Sequence, residues 1–171
     1  NKGCPTTIIQ VFIIILAITS CSKLENKPKQ AMFRSNLCRT GYYNTKGPHR
    51  LSELKWKFKT KDWVSPPVIV NDVIYFGSGD GNLYALDVDT GQEVWRFKAG
   101  DWIGSPAISD SVIYFSSGDG DFYAVDIRNK KVKWRFKANN WVHAPAITDS
   151  MVIIGSVDGT LYALDKLTGQ E

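Results

Sequence analysis

GSGDGNLYALD, at residues 77–87, recurs as SSGDGDFYAVD at 116–126 and as GSVDGTLYALD at 155–165. The copies are 39 residues apart, and a period of about 40 residues with strand-like contents is typical of β-propellers. In such a fold each repeat is one small sheet that must bury its faces against its neighbours. All six tryptophans of the chain follow the same spacing, in two series: Trp56, Trp95 and Trp134, and Trp63, Trp102 and Trp141.

Each repeat divides into four short apolar runs separated by turn residues. In residues 66–98 the runs are PPVIV, VIYFGS, NLYALD and EVWRFK. Pairs such as Asn71-Asp72 and Thr90-Gly91 stand between the runs, and these residue types favour tight hairpin turns. The pattern predicts an all-β fold, a β-propeller of four-stranded blades, with about three blades visible.

A further run, LSELKWKFK at residues 51–59, resembles the fourth run of a repeat without the first three. The third repeat, in turn, stops before its own fourth run. Propellers commonly close their ring by letting a strand from one end of the chain complete the blade at the other, and they have about four to eight blades. We therefore expect the propeller to span residues 51–171 and the sequence to be a fragment of a larger ring.

The fourth run of each repeat alternates an aromatic with a basic side chain, as in WRFK at residues 95–98. With a period of two, the aromatics face the neighbouring blade and the cations lie on the opposite face. Charged side chains on an outermost strand discourage pairing with another molecule. Nucleic-acid binding is the alternative interpretation of these cations, and we expect no nucleic-acid partner because the aromatics are turned inward.

Residues 1–20 are of a different kind from the rest of the chain. They carry one charge, Lys2, and an apolar stretch, IIQVFIIILAI, at 8–18. This stretch is too short to span a bilayer and is typical of a signal peptide. The segment Ile18-Thr19-Ser20-Cys21 resembles a bacterial lipobox, so we expect Cys21 to be the lipid-attachment site and the mature N-terminus. An ordinary secretory signal, with Cys21 as a bystander, is the alternative.

A basic tether and lead-in are expected at residues 21–50. Segment 22–61 contains eleven Lys and Arg against two Glu, a net charge of +9, whereas segment 62–171 contains nine against fifteen Asp and Glu, a net charge of −6. The basic segment could hold a lipid-anchored chain near anionic headgroups, at about 1 kcal/mol for each cation close to the surface. A solvated tether is the alternative. With Cys4 removed and Cys21 acylated, only Cys38 is left, and no disulfide is expected.

The segment ALDVDTGQEVW, at residues 85–95, is similar to the tryptophan-docking motif of the quinoprotein-like propellers, or PQQ-like repeats, which usually have eight blades. The resemblance covers about residues 31–171. It implies that the alanine packs on a tryptophan of the neighbouring blade and that the aspartate and Thr-Gly shape a turn. The residues that match the motif are Ala85, Asp87, Thr90, Gly91 and Trp95; Ala124, Asp126 and Trp134; and Ala163, Asp165, Thr168 and Gly169.

The resemblance leaves two functional classes open. The family includes quinone-dependent dehydrogenases and non-catalytic propellers, among them the lipoprotein subunit of the outer-membrane β-barrel assembly machine. The dehydrogenases bind PQQ and Ca²⁺, often beside a disulfide of adjacent cysteines. This sequence has no adjacent cysteines, its aspartates stand at repeat turns, and His49 and His143 lack metal-ligand spacing. We expect no catalytic residue, metal or cofactor; PQQ and Ca²⁺ are implied only if catalytic blades lie outside this sequence.

The linkers between successive repeats, TKDWVSP, AGDWIGSP and NNWVHAP, place one tryptophan each at one end of the propeller. The positions around the tryptophans vary, as in a binding rim, since loops on a rigid frame commonly carry function. The alternative is that these tryptophans only wedge between blades. The candidate rim comprises Asp62, Trp63, Ser65, Asp101, Trp102, Gly104, Asn140, Trp141 and His143.

These features favour a non-catalytic, extracytoplasmic lipoprotein that binds a protein or peptide partner in envelope protein assembly. We expect its lipid anchor to hold it on a bacterial membrane, with the outer membrane facing the periplasm favoured. A quinone-dependent dehydrogenase is the alternative function, because the fold alone does not choose between the two.

Overall fold

The computed structural model describes residues 54–171. The expected signal peptide, the tether and lead-in, and the first three residues of the propeller segment lie outside the described residues, and with them Cys21, Cys38 and His49. Within residues 54–171, no helix has the length and apolar character needed to cross a bilayer.

The described residues form three antiparallel sheets, one for each repeat. Blade 1 has four strands in the order β1 (Val68–Val70), β2 (Val73–Gly77), β3 (Asn82–Asp87) and β4 (Glu93–Lys98). Blade 2 repeats this order with β5 (Ala107–Ser109), β6 (Val112–Ser116), β7 (Asp121–Asp126) and β8 (Lys131–Lys137). Blade 3 has β9 (Ala146–Ile147), β10 (Met151–Gly155) and β11 (Leu161–Asp165). The expected all-β fold is confirmed, with four-stranded blades in the first two repeats.

The first strands of the three blades, β1, β5 and β9, lie side by side. Because neighbouring strands alternate in direction, the linkers between blades lie at the same end as the β2–β3, β6–β7 and β10–β11 hairpins. Isolated bridges such as Val64 to Ser78 join each linker to the hairpin of its own blade. We call this the upper end; the other hairpins lie at the lower end.

Short turns separate the strands, and most of them contain residues in the left-handed backbone conformation. Asn71 and Asp72 (φ 49° and 60°) join β1 to β2, and Asp110 and Ser111 (φ 51° and 65°) join β5 to β6. Two consecutive residues with positive φ are typical of the type I′ turn, whose twist matches that of a hairpin. Asn and Asp tolerate this conformation better than other side chains, which is why the chain turns at these points.

The core lies between the blades. Trp95 of blade 1 belongs to one buried cluster with Phe115 and Tyr123 of blade 2. Trp134 of blade 2 belongs to another cluster with Ile154 of blade 3. Each sheet is apolar on the faces that meet its neighbours, so each blade is stabilised chiefly by the blades beside it.

Residues 54–60 pack against blade 1 without joining a sheet of the described residues. Trp56 and Phe58 lie against a buried cluster that contains Phe76 and Tyr84, and the Phe58 and Tyr84 ring centroids are 5.5 Å apart. The described part of the run at residues 51–59 therefore occupies the place that the fourth strand of a preceding blade would take.

Candidate functional site

Two tryptophans dock on the next blade through a hydrogen bond and a glycine. The Trp134 Nε1 donates to the Lys166 carbonyl of blade 3 at 3.0 Å, and its ring lies on Gly169, where a Cβ would come within 2.5 Å of the indole. Trp56 meets Gly91 in the same way and donates to a backbone carbonyl of blade 1 at 3.0 Å. Both glycines have positive φ, so glycine suits the backbone and leaves room for the ring.

The aspartate of the motif holds the turn that carries this glycine. Asp87 Oδ1 accepts hydrogen bonds from the Thr90 amide at 2.8 Å and from the Thr90 hydroxyl at 2.7 Å. Asp165 accepts the corresponding pair from Thr168, both at 2.8 Å. The Thr90 hydroxyl and amide lower the pKa of Asp87, and the Thr168 amide and hydroxyl lower the pKa of Asp165. The turn geometry thus accounts for both carboxylates.

Blade 2 departs from the motif. Asp126 still caps its turn, accepting from the Arg128 amide at 2.9 Å, but Lys130 (φ 62°) stands where the other copies have glycine. The Lys130 Cβ takes the space in which the indole lies in those copies. Trp95 packs against Tyr75 of its own blade, with 5.9 Å between ring centroids, as Trp134 packs against Tyr114. Unlike the Trp134 Nε1, however, the Trp95 Nε1 has no hydrogen-bond acceptor within residues 54–171.

The motif alanine lies opposite a tryptophan of its own blade. Ala85 pairs with Trp95 across the β3–β4 ladder, and Ala124 pairs with Trp134 across the β7–β8 ladder. Opposed residues of a ladder have Cβ atoms about 5 Å apart. The structure shows this pairing inside the blade; the contact with the tryptophan of the neighbouring blade, which the resemblance implied, stays a prediction. Ala163, in the three-stranded blade 3, is exposed.

The linker tryptophans form a continuous row across the upper end, which we call the tryptophan row. The ring centroids of Trp63 and Trp102 are 5.9 Å apart, and those of Trp102 and Trp141 are 5.5 Å apart. The His143 ring extends the row, 4.9 Å from Trp141. Trp63 is 50% exposed and Trp141 is 36% exposed, while Trp102 between them is half-buried. The fold thus gathers aromatic rings from three successive linkers.

Hairpin glycines form the seats of two tryptophans of the row, Trp63 and Trp102, and Val157 stands at the equivalent position in the third hairpin. A Cβ on Gly79 would lie 2.5 Å from the Trp63 Nε1, and a Cβ on Gly118 would lie 2.1 Å from the Trp102 Nε1. Each of these indoles is therefore held against backbone on one side and reaches solvent on another. Within the described residues, no group accepts a hydrogen bond from the three indole N–H groups of the row, in contrast to Trp56 and Trp134.

The polar residue before each row tryptophan orders the linker. The Oδ1 atoms of Asp62, Asp101 and Asn140 accept a hydrogen bond from the amide of the following tryptophan, at 2.7, 2.7 and 2.8 Å. Aspartate and asparagine both supply this oxygen, which explains the exchange in the third linker. All three residues are exposed, so Asp62 and Asp101 also place negative charge beside the row.

The position two residues after each row tryptophan varies in its surroundings. Ser65 is buried, and its hydroxyl accepts a hydrogen bond from the Gly77 amide at 2.9 Å. Gly104 is confined, because a Cβ there would lie 2.6 Å from the Ser116 hydroxyl. His143 is exposed. Of these three positions, the histidine is the one that presents a side chain to solvent beside the row.

The aspartates of the upper hairpins do not converge. Asp80, Asp119 and Asp158 each accept a hydrogen bond from the amide two residues further on, at 3.1, 2.9 and 2.8 Å. This bond is the usual way in which aspartate stabilises a turn. Within residues 54–171, no three histidine, cysteine or carboxylate side chains lie close enough together to hold a metal ion.

A cavity of about 100 Å³ lies at the lower end, between blades 1 and 2 and away from the tryptophan row. The equivalent place between blades 2 and 3 holds an ion pair, because the Lys166 ammonium of blade 3 pairs there with Asp110 of blade 2. Ile127 stands at the position equivalent to Lys166 and lines the cavity together with Tyr75 and Arg128. Burial raises the pKa of Tyr75. The sequence did not predict the lysine–aspartate pair, because its partners are 56 residues apart. The pair is also not repeated in the interface between blades 1 and 2, so the repeat pattern does not reveal it.

A family model described as outer membrane protein assembly factor BamB matches residues 79–171, which is more than half of the chain. The chain belongs to this family. The membership in the PQQ-like propellers that the docking motif predicted is thereby confirmed. Among curated protein sequences, none matches the chain significantly.

Solved structures of the BamB family and of other propellers share the fold. BamB from Moraxella catarrhalis is 25% identical to this chain, with a TM-score of 0.59, and the match covers 67% of this chain and 38% of that protein. A europium-containing methanol dehydrogenase gives a TM-score of 0.70 at 22% identity, over 86% of this chain and 32% of its own. The computationally designed protein Ika4 gives a TM-score of 0.59 at 20% identity, and the match covers 66% of this chain and 71% of that protein.

The last two identities are low enough that these likenesses show the fold alone, and they confirm the predicted β-propeller. The chain spans 38% of the matched BamB structure and 32% of the matched dehydrogenase.

Proposed function

We propose that this chain belongs to a non-catalytic, lipid-anchored propeller that faces the periplasm and binds a protein or peptide partner in envelope protein assembly. The observation that carries the proposal is the tryptophan row. Its rings reach solvent and donate no hydrogen bond within the described residues, and two of them, Trp63 and Trp102, are held against hairpin glycines. Aromatic side chains of this kind are enriched at protein interfaces, where they supply most of the binding energy.

The family supports the class of partner. Its description is that of an assembly factor for outer membrane proteins, and the matched residues 79–171 include Trp102 and Trp141 of the row. The matched BamB structure is longer than this chain, so further blades would add to the surface that the row begins.

Cross-linking from the two ends of the propeller tests the proposal. A photoreactive amino acid in place of Lys61, which is exposed beside the row, should form an adduct with an envelope protein in intact cells. The same amino acid in place of Asp89, exposed in a hairpin at the lower end, is the matched control and should form none. Equal adducts from both ends, or none from residue 61, would contradict a partner site at the row.

Membrane attachment is proposed at Cys21. The segment Ile18-Thr19-Ser20-Cys21 supports lipidation, and two or more acyl chains anchor a protein stably where one does not. The Cys21→Ala variant should leave the membrane fraction, and the intact mass of the wild-type protein should correspond to a chain that begins with acylated Cys21. A Cys21→Ala variant that stays with the membrane would contradict this assignment.

A further inference from the structure

The spacing of the tryptophan row is close to, and slightly shorter than, the repeat of an extended peptide. Its centroids are 5.9 and 5.5 Å apart. Alternate side chains of a β-strand point to the same face and are about 6.5 Å apart, since the rise is about 3.3 Å per residue and shorter in twisted strands. Three side chains at positions i, i+2 and i+4 of such a strand can therefore each meet one ring.

The upper end carries an excess of negative charge. Its linkers and hairpins, residues 60–66, 78–82, 98–106, 117–121, 137–145 and 156–160, contain three lysines and six aspartates, a net charge of −3. One of these aspartates, Asp121, is paired with Lys137 and with Arg135 of strand β8, so the excess comes from the other five. Two of the lysines are engaged with the hairpins, because Lys98 and Lys137 donate to backbone carbonyls at 2.7 and 2.6 Å. The carboxylates next to the rings are Asp62 and Asp101, which are exposed.

Cations are also missing from the faces of the row. Within residues 54–171, a cation–π contact is seen between Arg96 and Tyr84, 5.4 Å from the ring centroid, and no lysine or arginine covers Trp63, Trp102 or Trp141. Indole is the aromatic ring that binds cations best. The rings and the two carboxylates thus offer a surface that a basic side chain complements and that the protein itself leaves open.

We infer that the tryptophan row binds an extended peptide segment with lysine or arginine at alternate positions. The basic side chains at i, i+2 and i+4 lie along the three indoles, and the charges of the segment are balanced by Asp62 and Asp101. This inference rests on the proposed function, because it takes the upper end to be the partner surface. It adds the chemistry and the conformation of the segment that is recognised.

Synthetic peptides test the inference on the full chain. The probe is an acetylated and amidated heptapeptide with lysine and threonine in alternation; one control has the same composition with the lysines in a block, and another has glutamate in place of lysine. Titration calorimetry should show binding of the alternating peptide about tenfold tighter than of either control, weakening as salt is raised. Equal binding of the block peptide would overturn the claim that the basic residues must alternate. Binding of the glutamate peptide would overturn the claim that the row selects a positively charged segment.

Variants of the row separate its two components. Trp102→Leu keeps an apolar side chain on its glycine seat but removes the indole, and should weaken binding of the alternating peptide about tenfold. The double variant Asp62→Asn and Asp101→Asn removes two charges while retaining the linker hydrogen bond that Asn140 makes naturally, and should reduce both the affinity and its salt dependence. Asp89→Asn, at the lower end, removes one charge and should change neither.

The outcomes distinguish this inference from the function on which it rests. If Trp102→Leu does not fold, the double aspartate variant decides, and wild-type binding by that variant overturns the inference. Tight binding of a chito-oligosaccharide in place of the peptide would also overturn it. A protein adduct from residue 61 without binding of the basic peptide would overturn the inference and leave the proposed function standing.

Discussion

Three glycines of blade 3 separate two constraints that usually occur together. Gly169 has a positive φ of 72°, and the Trp134 ring lies where its Cβ would be. Within residues 54–171, Gly159 has a positive φ of 89° but open space around it, and Gly155 has neither restriction, whereas the equivalent Gly81 and Gly77 of blade 1 face the linker to blade 2. Alanine at these positions therefore distinguishes the strain of a left-handed backbone from the displacement of a docked indole.

We expect alanine to destabilise the protein most at Gly169 and least at Gly155. Gly159→Ala should cost about 1 to 2 kcal/mol because of its backbone conformation, and Gly169→Ala about 3 kcal/mol or more because the ring must also move. Gly155→Ala should lie within about 0.5 kcal/mol of the wild type. Denaturant unfolding of a chain of residues 1–171 measures these differences. If both variants lose the same unfolding free energy, displacing the Trp134 ring contributes nothing to the loss at Gly169.

The turn aspartates make stability depend on pH. The pKa of Asp87 and of Asp165 is lower in the folded protein than the ordinary value of 3.8, so at low pH the unfolded chain binds more protons. Their stabilisation is complete above that ordinary value and is lost as the pH falls through the lower folded pKa.

We expect the melting temperature to fall as the pH is lowered below about 4. A double variant, Thr90→Val with Thr168→Val, removes the hydroxyl hydrogen bonds that help to lower both pKa values, and should show a shallower decline. Thermal unfolding followed by circular dichroism between about pH 6 and about pH 2 provides the measurement. An unchanged decline in the double variant would mean that these threonine hydroxyls do not contribute to the pH dependence.

At the scale of the blade, the third hairpin of blade 2 is the element that differs from its neighbours. Lys130 has a positive φ of 62° and stands where Gly91 and Gly169 receive an indole in the other copies. Trp95 has no hydrogen-bond acceptor for its Nε1 within the described residues. A left-handed lysine and an unsatisfied indole therefore occur in the same interface.

We expect Lys130→Gly to stabilise the protein by about 1 kcal/mol, because glycine relieves the left-handed strain and opens a seat for the Trp95 ring. A double-mutant cycle with Trp95→Phe separates these two effects. Trp95→Phe should cost more in the Lys130→Gly background than in the wild type, since we expect the Trp95 Nε1 to donate to the backbone of blade 2 only there, as Trp134 donates to blade 3. If the gain is the same in both backgrounds, it comes from the backbone alone.

At the scale of the whole molecule, the described blades offer no converging set of oxygen ligands. Calcium requires about six to eight oxygens, and the hairpin and docking aspartates of residues 54–171 are engaged one by one in their own turns. We expect calorimetric titration of the full chain with PQQ and Ca²⁺ to give no saturable heat. A PQQ-dependent dehydrogenase titrated in parallel is the control. Saturable binding at micromolar concentration or tighter would favour the dehydrogenase alternative.

The sequence by itself determined the blade. The period of 39 residues, the alternation of WRFK and the Asn, Asp and Gly residues between runs are local properties, and each follows from the geometry of a strand or a turn. They predicted where the strands lie and that the sheets stack as a propeller. The hairpin glycines Gly79 and Gly118 were visible in the same repeat, but their function as seats was missed because the ring that covers each one belongs to a linker.

Only the tertiary structure decided what each tryptophan series does. The local pattern placed one series in strands and the other in linkers, but it did not show that Trp134 donates to Lys166 whereas Trp102 donates to no described residue. Their difference arises from which backbone of the folded chain lies beside each indole. The meeting of rings from successive linkers at 5.5 to 5.9 Å likewise depends on how blades stack, and packing between elements distant in sequence is not encoded by the pattern of any one repeat.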